Sequence, residues 1–153
     1  MLFLLFRLGA DRYALDTAGV AEVLPLVNLT QMPQAPAGVA GMFNYHGAPV
    51  PAIDLSELTL GRPAERRIST RIILVHYPDS TGRSRLLGLI AERATETSRR
   101  EPTDFVDSGI ANDGAPYLGP VASDAHGLLQ WIQVDGLLPA SVREGLFPAR
   151  AAL

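Results

Sequence analysis

The stretch GMFNYHGAPVPAIDL, residues 41–55, has the pattern of a β-hairpin that bends at a histidine–glycine pair. Gly47 supplies a position at which a positive φ costs little. Pro49 and Pro51 lie two residues apart, so their missing N–H donors point to the same side of one strand. This favours an edge strand or a barrel rim. The hairpin raises the question of whether His46 serves catalysis or a binding surface.

The rest of the chain is also divided into short segments, because 14 glycines and 12 prolines are spread over its whole length. This spacing predicts an all-β barrel or sandwich rather than a helical bundle. Residues 97–116 show no clear periodicity and predict a surface loop. The predicted strands are residues 2–8, 12–16, 39–45, 48–55, 71–77, 85–92, 117–123 and 128–134.

Two short helices are also predicted. The segment DTAGVAEVLPL, residues 16–26, begins at a capping residue, Asp16 or Thr17, and is stopped by Pro25. The segment PASVREGLF, residues 139–147, opens with a proline, which is typical of a helix start. DLSELTLG, residues 54–61, is a candidate for one further turn, with its leading aspartate accepting backbone hydrogen bonds.

Length and composition indicate a folded protein of one compact domain, or of two small barrels that share a core. The chain has 153 residues, of which 47% are hydrophobic and 19% charged, far from the composition of disordered proteins. The formal net charge of −3 argues against a nucleic-acid surface, which needs clustered positive charge.

The sequence also limits the compartment and the chemistry. The absence of cysteine excludes disulfides, thiolate nucleophiles and cysteine-ligated metals. The N-terminal segment alternates after six apolar residues, which favours a strand over a signal peptide. No stretch approaches the roughly 18 apolar residues of a membrane helix. We therefore expect a cytoplasmic protein without direct membrane insertion.

The searches for catalytic and cofactor motifs give no convergent set. The three histidines (His46, His76 and His126) have no ligand partner at metal-site spacing, and the chain has no lysine for a phosphate-binding loop. No serine lies in a G-x-S-x-G elbow. We expect no enzyme activity, no metal and no cofactor. Two alternatives stay open: a small β-barrel hydrolase or lyase that uses His46 with Asp54, and a ligand-binding sensor barrel with an enclosed apolar cavity.

The chain contains an ordered series of short motifs: F-x-L-x-x-x-x-Y-A-L-D (6–16), V-x-E-V (20–23), M-P-x-A-P (32–36), G-x-x-N-x-x-G-x-x-x-P-x-x-D-L (41–55) and GLIAE (88–92). In their order and spacing these motifs resemble the CheW-like domain family. The resemblance implies an all-β fold of two five-stranded SH3-like barrels packed side by side, with short helices, in a single domain over residues 1–153. It also implies a non-catalytic adaptor of bacterial chemosensory signal transduction. Such an adaptor couples the cytoplasmic helical hairpin of a methyl-accepting chemoreceptor to the regulatory domain of a CheA-type histidine kinase.

The resemblance assigns partner-binding residues in two places. One set faces a groove for the receptor hairpin between the barrels, and the other matches the family's Asn-Leu-Arg-Gly stretch. The two sets are Val20, Glu22 and Val23, and Asn44, Tyr45, His46 and Gly47. The second set departs from the family at position 46, where histidine replaces the family's arginine. Arginine carries a permanent positive charge, whereas a histidine is charged for only part of the time near neutral pH. This departure suggests a divergent paralogue of a surface-sensing (Wsp-type) or twitching system.

Overall fold

A computed structural model describes residues 1–149 of the chain, which form nine strands, two short α-helices and three 3₁₀ turns. The strands are β1 (Leu2–Leu8), β2 (Asp11–Asp16), β3 (Val20–Pro25), β4 (Val39–Tyr45), β5 (Ala48–Asp54), β6 (Arg71–Pro78), β7 (Ser84–Arg99), β8 (Leu118–Asp124) and β9 (Gly127–Ile132). The helices are α1 (Leu55–Leu60) and α2 (Ala140–Leu146), and the 3₁₀ turns are Thr17–Gly19, Pro102–Asp104 and Val134–Gly136.

The strands form two five-stranded barrels that share the long strand β7. Its first half pairs with β5 and β6, and its second half pairs with β1. Barrel I consists of β1, β2, β8, β9 and the second half of β7; barrel II consists of β3, β4, β5, β6 and the first half of β7. A two-bond backbone bridge extends each barrel, Val106 with Val121 in barrel I and Thr30 with Met42 in barrel II. The predicted pair of SH3-like barrels is confirmed.

The apolar side chains form one core inside each barrel and a third core between the barrels. Alternate residues of β6 show how one strand serves two cores. Ile72 and Leu74 point into barrel II, whereas Ile73 and Val75 point toward barrel I, and all four are fully buried. Because both faces of the strand are buried, it reads as a continuous apolar run.

The interior of barrel II is filled by its own side chains. A Cβ atom on Gly88 would lie only 2.8 Å from Phe43 Cε1 and 3.0 Å from Ile72 Cγ2. Such contacts show packing at the density of a protein core, so side chains occupy the space that a small molecule would need. This packing removes the support for a ligand-binding sensor in barrel II.

The predicted helix over residues 16–26 is wrong. Asp16 does cap a turn, since its Oδ1 accepts a hydrogen bond from Ala18 N at 3.0 Å, but the turn is 3₁₀ and ends at Gly19. The chain then continues as β3, antiparallel to β6. Pairing with a distant, buried strand outweighs the local helical pattern, and β-branched valines fit a strand well.

The other predicted elements agree with the structure more closely. Asp54 begins α1 as predicted: its Oδ1 accepts hydrogen bonds from Ser56 N and Glu57 N at 3.0 and 3.2 Å. Helix α2 lies within the predicted segment 139–147. Strand β5 pairs with β7 only over residues 52–54, so Pro49 and Pro51 lie where one side of the strand is free. The edge prediction is therefore confirmed.

The main error of length concerns β7, which was predicted over 85–92 and extends to Arg99. Its second half is largely exposed on one side, and the strand bends at Arg93, which adopts a positive φ of 51°. This irregularity hides the period-2 pattern where the strand passes from barrel II to barrel I. No helix within residues 1–149 has the length and apolar character needed to cross a membrane.

Candidate partner-binding surfaces

The β4–β5 hairpin holds His46 at an exposed, tightly defined turn. His46 and Gly47 are the two turn residues and both have positive φ, 50° and 88°, which is typical of a type I′ turn. Asn44 Oδ1 accepts a hydrogen bond from Gly47 N at 2.7 Å. The imidazole packs edge-on against the ring of Tyr45, with centroids 4.3 Å apart. The turn therefore presents a positioned histidine to solvent.

His46 and Asp54 do not form a catalytic pair. They lie at opposite ends of β5, about 25 Å apart along an extended strand. Asp54 is buried and already caps α1, and its Oδ2 accepts a further hydrogen bond from Ala64 N at 2.9 Å. The hydrolase or lyase alternative is wrong.

Strand β3 divides the first predicted set between its two faces. Val20 and Val23 are partly buried and pack against the core between the barrels. Glu22 lies directly opposite Leu74 and therefore shares the barrel II face with it. Glu22 is thus on the face of β3 that does not carry the two valines, and it is exposed. A register irregularity between Val20 and Glu22 allows the two valines to share a face although they are three residues apart.

Glu22 and the β4–β5 turn lie at the same end of barrel II. The registers bring this turn, the β6–β7 turn and the start of β3 to one end, although β3 and β4 are separated by the rest of the sheet. Glu22 is a diagonal neighbour of His76 on β6, and His76 Nδ1 lies 3.4 Å from Ser84 Oγ. We call this surface the hairpin end of barrel II; it comprises Glu22, residues 44–47, His76 and Ser84.

A groove of about 490 Å³ lies between the barrels, where the chain passes from β2 to β3. Both barrels contribute to it, and we call it the inter-barrel groove. Its apolar lining residues are Leu15, Trp131, Ile132 and Val134, of which Leu15 and Ile132 are almost fully buried. Its polar lining residues are Asp16, His76, Gln133 and Asp135, and two glycines, Gly19 and Gly136, complete the lining. Val20 directly follows Gly19, but neither Val20 nor Val23 is among the residues that line the groove.

Trp131 on β9 packs into the core of barrel I and also contributes to the inter-barrel groove. Its ring packs edge-on against Phe3 at 4.9 Å, in the core of barrel I, but the residue is only half-buried and also lines the inter-barrel groove. Strand alternation indicates burial; it does not indicate that the barrel stops short of covering the whole indole.

A second apolar surface lies on barrel I and was not predicted. Val106, Ile110 and Leu128 are 62%, 78% and 65% exposed, and Ile110 and Leu128 line a cleft of about 440 Å³. Two of these residues belong to the segment predicted as a surface loop. Their only signal in the sequence is apolar character within a polar, irregular stretch.

The perturbed carboxylates have structural partners. The hydrogen bonds from Arg12 and Arg100 hold the pKa of Asp124 well below its usual range. The hydroxyl of Thr81 lowers the pKa of Asp79, which organises the β6–β7 turn. Within residues 1–149, no group of three acidic or histidine side chains is placed to hold a metal ion.

The fold and these surfaces define a docking module. Residues 2–142 match the CheW-like domain. A chemotaxis protein CheW from Rhizobium meliloti is 27% identical over 144 residues, covering 91% of this chain and 88% of that protein. One from Helicobacter pylori is 31% identical over 104 residues, covering 67% of this chain and 59% of that protein. The crystal structure of the scaffolding protein TtCheW from Thermoanaerobacter tengcongensis has the same fold, with a TM-score of 0.79 at 23% identity over 92% of this chain and 89% of that one.

The chain belongs to the CheW-like domain family. Proteins of this family are non-enzymatic adaptors that couple chemoreceptors to CheA in bacterial chemosensory signalling. Family membership confirms the predicted adaptor class and the predicted lack of catalysis.

Proposed function

We propose that this chain couples the cytoplasmic helical hairpin of a methyl-accepting chemoreceptor to the regulatory domain of a CheA-type histidine kinase. The observation that carries the proposal is the inter-barrel groove, a channel with both apolar and polar lining residues to which strands of both barrels contribute. A receptor that exposes this hairpin in the cytoplasm requires the adaptor there too, so we propose a cytoplasmic location.

The inter-barrel groove suits an amphipathic helix. Trp131 and Val134, which are partly exposed, offer apolar contacts, and a helix presents apolar side chains on one face at intervals of three and four residues. Val20 directly follows the lining residue Gly19, which supports a receptor-binding role for Val20; Val23 shares its face of β3 and packs against the core between the barrels. Large apolar side chains in such a groove supply most of the binding energy.

The hairpin end of barrel II suits the kinase. Its turn is fixed by the bond between Asn44 and Gly47, so little conformational entropy is lost when a partner binds. Tyr45 and His46 offer an aromatic pair at the tip. Glu22, which the resemblance assigned to the receptor groove, lies on the other face of β3 from the two valines and adds a carboxylate at this end. We propose that this surface contacts the regulatory domain of the kinase.

The histidine at position 46 supports a specialised role. An arginine at this turn would provide a permanent charge and a forked set of donors, which histidine lacks near neutral pH. We propose that the chain is a divergent paralogue that serves surface sensing or twitching, with a kinase whose docking surface suits a histidine.

Co-purification tests the proposal. The full chain should retain both a CheA-type kinase and a receptor signalling domain from the same organism. Failure to bind any such kinase would contradict it. The variant Val23→Asp should lose receptor binding, because it places an unpaired charge on the face of β3 that packs between the barrels, while kinase binding is retained. Circular dichroism and thermal unfolding must first show that the variant is folded.

A further inference from the structure

Two carboxylates are among the residues that line the inter-barrel groove. Asp16 lies at the end of β2, and Asp135 lies in the 3₁₀ turn after β9; both are among the residues that line the groove. Within residues 1–149, no arginine is among them, and His76 is the only lining side chain that can become a cation. The groove therefore combines an apolar floor with two negative charges.

The register brings the two carboxylates to the same part of the groove. Strands β2 and β9 are parallel, with Ala14 level with Trp131. Continued along both chains, this register places Asp16 level with Gln133, two residues before Asp135. A single cationic side chain entering this part of the groove can therefore approach both carboxylates.

Both aspartates belong to fixed segments of backbone. Asp16 accepts the hydrogen bond from Ala18 N described above, and the carbonyl of Asp135 accepts one from Tyr77 Oη at 3.4 Å. The next residue, Gly136, is packed so closely that a Cβ atom would lie 2.8 Å from the carbonyl oxygen of Pro116. The Asp16 carboxylate and the backbone that carries Asp135 are thus held in place before any partner arrives, which lowers the entropic cost of using these charges.

We infer that the groove accepts a receptor helix that carries an arginine or lysine beside its apolar anchors, and that Asp16 and Asp135 bind this basic side chain. The inference rests on the proposed function, because it names the chemistry of the partner for the same groove. The apolar residues supply affinity, and the carboxylates supply register and selectivity. A helix with an acidic residue at the same position is rejected, because like charges face each other.

Neutral, nearly isosteric variants test the inference. Asparagine is as good a cap as aspartate, so Asp16→Asn retains the 3₁₀ turn while removing its charge. The full chain carrying Asp16→Asn and Asp135→Asn is titrated by calorimetry with the purified receptor signalling hairpin. We expect affinity to fall about three- to tenfold at about 0.05 M salt and the difference to disappear at about 0.5 M salt. Asp113→Asn, at an exposed aspartate outside the groove lining, is the matched control and should leave the affinity unchanged.

The outcomes separate this inference from the proposed function. If Val23→Asp abolishes receptor binding while the double asparagine variant binds like wild type at low salt, the charge inference is wrong and the groove assignment stands. If the wild-type chain does not bind the receptor hairpin, both are wrong. Reversal gives a second test: Asp16→Arg with Asp135→Arg should weaken binding further, and a glutamate at the basic position of the receptor helix should restore it. Absence of restoration at every basic position of the hairpin would overturn the inference.

Discussion

The β4–β5 hairpin of barrel II and the β8–β9 hairpin of barrel I occupy equivalent places in their barrels. In each, the second strand pairs in parallel with a further strand, β5 with β7 and β9 with β2. Each bend contains a histidine followed by a glycine, His46–Gly47 in one and His126–Gly127 in the other.

The two bends differ in what holds them. Asp124, at the start of the β8–β9 turn, binds Arg12 at 2.7 and 2.9 Å and Arg100 at 2.8 Å, and it also accepts a hydrogen bond from His126 N at 2.8 Å. These bonds tie the turn to the body of barrel I. Asn44 takes the corresponding position in barrel II, and its side chain bonds within its own turn. The same His-Gly dipeptide thus occurs in two different settings: the β8–β9 turn is bonded to the body of barrel I, whereas the β4–β5 turn, within the described part of the chain, is bonded only within itself and is available to a partner.

The largest effect on stability should follow from removing the Asp124 carboxylate, which anchors the β8–β9 turn. Asp124→Ala leaves two partly buried arginines, with side chains 12% and 18% exposed, without their carboxylate. Allowing for the solvent that reaches this site, we expect a loss of about 1–3 kcal/mol in the free energy of unfolding. Urea denaturation measures it. Asp113→Ala, at an exposed aspartate of the same barrel, should change the value by less than about 0.5 kcal/mol. Equal effects of the two substitutions would show that the anchor contributes nothing.

The Asp124 carboxylate should also make the stability of the protein depend on pH. Its pKa is lowered in the folded state, mainly by the hydrogen bond from Arg12, so its stabilisation is complete above the unfolded pKa of about 3.9 and is lost as the pH falls below it. The difference in stability between wild type and Asp124→Ala should be constant above about pH 5 and shrink between about pH 4 and pH 2. A difference that does not change over this range would contradict the assignment of the shift to Asp124.

A smaller effect on stability is expected at the β4–β5 hairpin, which we call the free hairpin because its turn, among residues 1–149, is bonded only within itself. Gly47 has a φ of 88°, and no other described atom lies within 4 Å of the place where a Cβ would stand, so Gly47→Ala meets only backbone strain. We expect a loss of about 1 kcal/mol in thermal unfolding. Gly145 has equally open surroundings but lies in α2, so Gly145→Ala should stabilise by about 0.5–1 kcal/mol. Two substitutions of the same kind thus have opposite expected signs, and equal signs would contradict the turn assignment.

The fold could be predicted where the signal is local or lies in the order of motifs. The β4–β5 hairpin follows from alternation and Gly47, and the cap of α1 follows from Asp54. Strand β3 could not be predicted in this way, because its partner β6 lies about 50 residues further along the chain and the segment also fits a short helix. The far half of β7 was missed because the bend at Arg93 interrupts the pattern.

The candidate surfaces were predictable to a smaller extent. The motif V-x-E-V identifies the relevant strand, but the register shift that puts Val20 and Val23 on one face and Glu22 on the other exists only in the paired sheet. The groove combines Leu15 with Trp131, residues more than 100 positions apart. Such surfaces arise from packing between two barrels, and a single sequence carries little information about that packing.

The substitution His46→Arg should have the smallest effect on stability and gives the most informative test of binding. His46 is exposed and has no hydrogen bond to its side chain within residues 1–149, so His46→Arg should alter the free energy of unfolding by less than about 0.5 kcal/mol. If the only consequence of the histidine is the loss of a permanent charge, the arginine variant should bind a family-typical kinase regulatory domain as well as or better than wild type. The reason is that arginine restores a permanent charge with a forked set of donors. Calorimetric titration of that domain, with His126→Arg at the anchored turn as the matched control, measures the change. A collapse of binding in the folded His46→Arg variant alone would show that the free hairpin has been rebuilt around histidine, and that its partner differs in chemistry from the family's usual one.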